Sequence, residues 1–167
     1  MKPTAKFGVA VLLAILVALA STAAGVGAWV LARGHGSQHP EISAYSRGQL
    51  TRVGPYRYCK VLDPNNCETP ETQGELHVTS RDPVQLSVPS AIGRAPWWLL
   101  RVYEHAANPT TTFFGPGSRL AVTIPTVDPH RGRLTGIAVQ LLTVVVDQAG
   151  ELHGVPHAEW SVRTVWN

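Results

Sequence analysis

The sequence predicts an all-β domain, a sandwich of about seven short strands, behind a single N-terminal transmembrane helix. Three observations carry this. From Phe7 to Ala32 the chain is apolar and uncharged for about 26 residues, the length a tilted helix needs to cross a bilayer. Beyond it, short runs rich in β-branched and aromatic residues alternate with clusters of Pro, Gly, Asp and Asn. No stretch after Ala32 shows the sustained 3.6-residue periodicity of a soluble helix.

Residues 1–6 read as a cytoplasmic N-terminus. Lys2, Lys6 and the amino terminus precede the apolar run and only Arg33 follows it, so basic residues favour an N-in, C-out orientation in the cell membrane. Trp29 lies near the outer end, where an indole suits the interface. A cleaved signal peptide is the competing reading, with Phe7 to Leu19 as its apolar region and Ala18-Leu19-Ala20 or Ser21-Thr22-Ala23 at the cleavage site. The run continues through Val26, Trp29, Val30 and Leu31, which favours an uncleaved anchor over residues 7–32. No Cys lies near it, so a lipoprotein is excluded. Ala20, Ala24, Ala28 and Ala32 recur every fourth residue, a spacing that lets two helices approach closely in lipid. Alanine is also simply common in this chain.

Residues 33–46 are polar and aperiodic and read as a linker. The extracytoplasmic domain then occupies residues 47–167. Its first strand is Leu50 to Lys60, broken or bulged at Gly54-Pro55. Glu75 to Thr79 and Val84 to Val88 alternate apolar and polar residues, and the second stops at Pro89. Trp97 to Tyr103 is apolar on both faces, as a central strand can be. Leu120 to Ile124 stops at Pro125. Leu134 to Asp147 is a long β-branched run closed by the hairpin-type turn Asp147-Gln148-Ala149-Gly150. Ala158 to Trp166 completes the set. Seven strands at this spacing suggest an immunoglobulin-like β-sandwich. Its core is assigned to Leu86, Val88, Trp98, Leu100, Val102, Val122, Ile124, Ile137, Val139, Leu141, Trp160 and Val162.

Charge excludes a nucleic-acid partner. Three of the 14 Lys and Arg residues are Lys2, Lys6 and Arg33, and the other 11 balance the 11 Asp and Glu. The domain is formally neutral, without a basic run or aromatic–basic interleaving. Arg47, Arg52 and Arg57, at alternating strand positions, read as a solvated face.

The two cysteines, Cys59 and Cys67, enclose Asp63-Pro64-Asn65-Asn66, a strong turn signal. Outside the membrane such a pair can form a disulfide and keep it. A metal site is the alternative, but two thiols need further ligands.

Tyr58 to Cys67, then Val88-Pro89-Ser90-Ala91-Ile92-Gly93-Arg94-Ala95-Pro96-Trp97, then Leu100 to Tyr103 together resemble an uncharacterised, mycobacterium-like actinobacterial family of membrane-anchored envelope proteins with a domain of unknown function. The resemblance covers most of the chain from Tyr58 onward. It implies a tethered extracytoplasmic domain and carries no activity, cofactor or catalytic residue.

The residues offer no assembled chemistry. Ser90 is the nearest approach to an exposed nucleophile, but no G-x-S-x-G elbow is present and a turn explains it. His153 and His157 are four apart, yet Gly154 and Pro156 forbid the helix that would place both on one face. His35 and His39 fall in the linker. Glu68 and Glu71 share a loop and Glu104 follows a strand; nothing in the sequence pairs them across a cleft. Gly115-Pro116-Gly117 lacks the residues of a phosphate loop. No cofactor or metal is called for. Trp97 and Trp98 must face opposite sides of their strand, so one can be core and the other a contact. Phe113 and Phe114 can be buried or offered to lipid or protein. Trp97, Phe113, Phe114, Ala20, Ala24 and Ala28 are therefore the candidate partner contacts.

The reading that follows is a non-catalytic, membrane-tethered binding or assembly module of the bacterial cell envelope, contacting an envelope protein or lipid. The alternative is an envelope hydrolase acting on a cell-wall polymer or lipid.

Overall fold

The computed structural model describes residues 39–166, apart from Ala106, Asp147 and the side chain of Pro64. The predicted anchor and the contacts at Ala20, Ala24 and Ala28 lie outside the described residues. Among those described, no helix is long and apolar enough to cross a membrane.

The domain is all-β, built from two sheets. In chain order the strands are β1 (Ile42–Ser46), β2 (Gln49–Val53), β3 (Arg57–Lys60), β4 (Asp63–Glu68), β5 (Gln73–Val78) and β6 (Val84–Ser87). A single helical turn α1 (Ser90–Gly93) precedes β7 (Trp97–Tyr103), β8 (Thr110–Phe114), β9 (Ala121–Ile124), β10 (Val127–Asp128), β11 (Gly132–Val146) and β12 (Leu152–Trp166). One sheet has the order β2-β1-β6-β9. The other runs β4-β3-β12-β11-β7-β8, with β10 added to β11 and β5 to β12. All pairings are antiparallel except β5 with β12.

The strand count of seven is too low, for identifiable reasons. Ile42, Ala44 and Ser46 point inward and are buried, so part of the expected linker is a core strand. The expected strand over 50–60 is two strands in different sheets, separated where Gly54-Pro55 breaks it. β12 begins at Leu152, not Ala158, because its ladder to β11 continues across Gly154 and Pro156. A bulge there accommodates the chain: Leu141 faces Ala158 while Leu142 faces Pro156, leaving His157 as the extra residue. The Asp63–Asn66 segment is not the hairpin turn. Val61 and Leu62 turn, and residues 64–66 bulge from β4 between the Cys59↔Cys67 and Lys60↔Asp63 pairs.

The core lies between the sheets. Leu86, Val88, Ile124, Ile137, Val139, Leu141, Trp160 and Val162 are buried as expected. On β7 the face is inverted: Trp97, Leu99 and Tyr103 are buried, whereas Trp98 and Leu100 are half-buried and Val102 is exposed. Val122 is also only half-buried, packed against the core. Trp160 donates its indole N–H to the Pro40 carbonyl at 2.7 Å, fixing the start of β1 against the large sheet.

The sheets come into close contact where β2 passes β5. Thr51 donates to the Glu75 carbonyl at 2.7 Å. A Cβ on Gly74 would stand 2.3 Å from Val53 Cγ2 and 3.0 Å from Thr51 Cγ2. Gly74→Ala is therefore expected to destabilise the domain by about 1–3 kcal/mol, as overpacking does, read from the urea midpoint.

Candidate functional site

The outer face of the eight-stranded sheet is built from alternate residues that point away from the core. Strand register aligns them in rows. Phe113, Trp98, Gln140, Glu159 and Arg57 form one; Thr111, Leu100, Ala138, Ser161 and Gln73 the next; Val102, Gly136, Arg163 and Glu75 the third. The rows divide the face into two halves of different chemistry.

Over β12 and β5 the face is polar and already satisfied. Gln140 donates to Glu159 at 2.8 Å, Gln73 to Ser161 at 3.1 Å, and Arg163 is paired with Glu75. Exposed pairs of this kind add little stability, but they leave those groups matched to one another. Over β7, β8 and β11 the face is mainly apolar, with Thr111 and Gln140 as polar positions. Trp98, Leu100, Val102 and Phe113 form its wall, and Phe113 is 60% exposed. Gly136 and Ala138 follow each other on β11 on the same face, and their small size lowers the floor. The result is a shallow groove of about 420 Å³, lined by Leu100, Val102, Gly136 and Ala138 on one side and Glu159, Ser161 and Arg163 on the other. The edge strand β8 borders this half. Its sequence, Thr-Thr-Thr-Phe-Phe, carries none of the charges or prolines that usually block strand addition.

The residues singled out in the sequence divide differently from expectation. Cys59 and Cys67 are bonded to each other across the β3–β4 hairpin. Trp97, a candidate partner contact, is fully buried on the inner face, and Trp98 holds the outward position. Phe113 is the outward phenylalanine. Phe114 turns inward and stacks on Trp97, ring centroids 4.3 Å apart. Ser90 is exposed on α1. Glu104 follows β7 and accepts a hydrogen bond from the Arg133 backbone N–H at 3.2 Å. His153 lies on the β11–β12 hairpin, beyond the opposite end of β7. Glu71, at φ +55°, is exposed. The fold thus distributes Ser90, Glu104 and His153 over separate parts of the domain. His35 lies outside the described residues. Among those described, no cluster of three or more His, Cys, Asp or Glu is placed to hold a metal ion.

Two histidines join in a cluster at the start of the domain. His39 stacks on Tyr58 with centroids 4.2 Å apart and meets Glu68 Oε2 at 2.9 Å through Nε2. His157, at the bulge, lies edge-on to Tyr58 and is buried, with Nδ1 lacking a hydrogen-bond partner. Burial holds its imidazole below the ordinary histidine pKa, offset in part by the Leu141 carbonyl. The folded value lies below the unfolded one, so this contribution to stability is complete above about 6.5 and is lost as pH falls through the folded value. The melting temperature is expected to drop on acidification through that window. His157→Leu should flatten this part of the profile, as measured by thermal melts across pH.

By sequence Leu100 and Val102 read as core, because β7 is apolar on both faces. The alternation of Gly136 and Ala138 on β11 was the available signal for a groove.

The family described as "Protein of unknown function (DUF2771)" matches residues 35–165. An uncharacterized protein of Mycobacterium bovis, Mb0899c, and one of Mycobacterium tuberculosis, Rv0875c, are each 68% identical to this chain over 161 residues. Those alignments cover 96% of this chain and 99% of each relative. No solved structure matches. The chain belongs to the DUF2771 family.

Proposed function

Starting from membership of the DUF2771 family, we propose that this chain is a non-catalytic, membrane-tethered binding or assembly module of the bacterial cell envelope. The apolar run over 7–32 is its anchor, with the N-terminus cytoplasmic and the immunoglobulin-like sandwich outside. The Cys59–Cys67 disulfide supports an oxidising compartment for the domain.

The observation that carries the binding role is the divided outer face of the large sheet. Over β12 and β5 the charged and amide groups Gln140, Glu159, Gln73, Arg163 and Glu75 are engaged within the face, and the apolar half is what remains for a partner. The uncharged edge strand β8 lies beside it. A partner segment in extended conformation gains backbone hydrogen bonds along β8 and lays alternate side chains toward Trp98, Leu100 and Val102. Buried aromatic anchors carry most of the energy in such contacts, which makes Phe113 and Trp98 the residues to change first.

Complementation of a deletion strain at matched protein level tests this. Phe113→Asp and Val102→Asp, both at outward positions, are expected to abolish function while leaving the melt unchanged. Ser90→Ala, His153→Ala and Glu104→Gln should each complement. Loss of function in one of those three, with folding intact, contradicts the binding role and favours an envelope hydrolase.

A further inference from the structure

We propose that the end of the domain around the β1–β2 turn is a second binding site, for a phosphate group, in which Arg47 and Arg81 hold the anion from two separate segments of chain. It is distinct from the groove on the large sheet, which neither arginine lines.

The fold brings the two segments together. β1 and β6 are antiparallel, with Tyr45 opposite Gln85, so the turn after Ser46 lies beside the residues that lead into Val84. β2 returns past β5, where Thr51 donates to the Glu75 carbonyl, and Gln49 then shares a cavity with His77. Two adjoining cavities result. One, of about 230 Å³, is lined by Arg47, Gln49, His77 and Thr79. The other, of about 250 Å³, is lined by Arg47, Thr79, Ser80, Arg81 and Asp82.

The sequence reads Arg47 as part of a solvated strand face, but it occupies the turn itself. Ser46 pairs with Gln49, so Arg47 and Gly48 are the two central residues of the hairpin. Both have positive φ, +48° and +78°. A turn of this kind selects Asn, Asp or Gly at its first central position, because the Cβ of a longer residue is crowded in the left-handed region. An arginine kept there is a local cost to the fold, and an outlier of that kind points to a use for its side chain.

The charges around it are unbalanced. Arg47 and Arg81 are exposed, and neither is within ion-pair distance of an acid among the described residues. The one carboxylate of the cavities, Asp82, is taken up by its own loop, where Oδ2 accepts from the Thr79 hydroxyl at 2.7 Å. That hydroxyl also accepts from the Arg81 backbone N–H at 3.4 Å, and the Thr79 carbonyl accepts from the Thr126 hydroxyl at 2.7 Å. The backbone that carries Arg81 is thereby tied to the rest of the domain. Ser80 and Gln49 add uncharged donors.

Phosphate is the oxyanion this arrangement fits. A carboxylate has two oxygens in one plane and is met by a single guanidinium fork. Two forks from different segments, with a hydroxyl and an amide beside them, suit a tetrahedral group with more acceptor oxygens.

The test uses the full-length, isotope-labelled chain in micelles of a maltoside detergent, which carries no phosphate. Inorganic phosphate, glycerophosphorylglycerol and acetate are titrated at constant ionic strength while backbone amide resonances are followed. Phosphate is expected to give saturable shifts confined to residues 47–49 and 79–82. Arg47→Gln and Arg81→Gln should each weaken binding about tenfold or more, the worth of one charge-assisted contact. Arg47→Asn supplies the residue the turn prefers, so it is expected to raise the melting temperature while losing the same affinity. An arginine that served only the fold would not separate the two. Tighter binding of glycerophosphorylglycerol supports the site and makes its ligand a phosphodiester of the headgroup type; tighter binding of inorganic phosphate supports it and makes the ligand a free phosphate. No saturable shift with either phosphate, acetate bound as tightly as phosphate, or arginine variants that bind like the parent overturns the proposal.

Discussion

Trp97→Ala is expected to destabilise the domain by about 3–5 kcal/mol, the range for emptying a large buried aromatic site. Trp97 has no exposed surface and stacks on Phe114. Its indole N–H has no hydrogen-bond partner, so the loss is one of packing rather than of a polar contact. Against a total stability of about 5–15 kcal/mol this is a large fraction. Trp98→Ala, one residue away and half-buried on the outer face, should cost much less. Denaturant unfolding of the two variants, followed by near-UV circular dichroism, distinguishes them directly. Equal losses would show that the assigned inner and outer faces of β7 are wrong.

Removal of the disulfide is the second large effect. Cys59 and Cys67 are eight residues apart and directly opposed on β3 and β4. On the chain-entropy account, closing so short a loop stabilises by about 2–3 kcal/mol, and Cys59→Ser should lower the urea midpoint accordingly. The variant should still fold, because its loss leaves the core between the sheets in place. Native far-UV spectra with a shifted midpoint are expected. Complete loss of structure would mean that the β3–β4 hairpin organises the domain rather than trimming it.

Much of the sheet pattern was legible because local signals and tertiary context agree. Val84 to Ser87 alternates and pairs as it reads, and the β-branched run of β11 ends at the turn that Gly150 supports with φ +85°. β7 has the expected bounds and the opposite face. Its two alternating sets are Trp97, Leu99, Arg101, Tyr103 and Trp98, Leu100, Val102. Composition favours the second set for the core, since it contains no charge. The neighbouring strand decides otherwise: Leu99 faces Val139 and Trp97 faces Leu141. Arg101 is accommodated by donating to Thr112 at 2.8 Å. Register is thus a property of the sheet, which one strand's sequence does not contain.

Two of the missed segments, β4 and the first part of β12, share a cause. β4 contains Asp-Pro-Asn-Asn and the first part of β12 contains Gly154 and Pro156, all of which read as breakers. Each is held by a long partner strand or a disulfide, with a bulge absorbing the misfit. β-propensity yields to such context. The groove was hidden for the same reason as the inverted face of β7, since assigning Leu100 and Val102 to the interior left no apolar surface outside. The disulfide was legible because it needed only two cysteines and a short intervening loop.

The central claim is that the apolar half of the large sheet's outer face holds a protein partner. Site-specific photo-crosslinking in native envelope membranes tests it most directly, with the photoreactive residue placed at Val102 or Phe113 and, as control, at Leu50. The account predicts one discrete protein adduct shared by positions 102 and 113 and absent at position 50. No adduct at position 102 or 113, or the same adducts at all three, would contradict it.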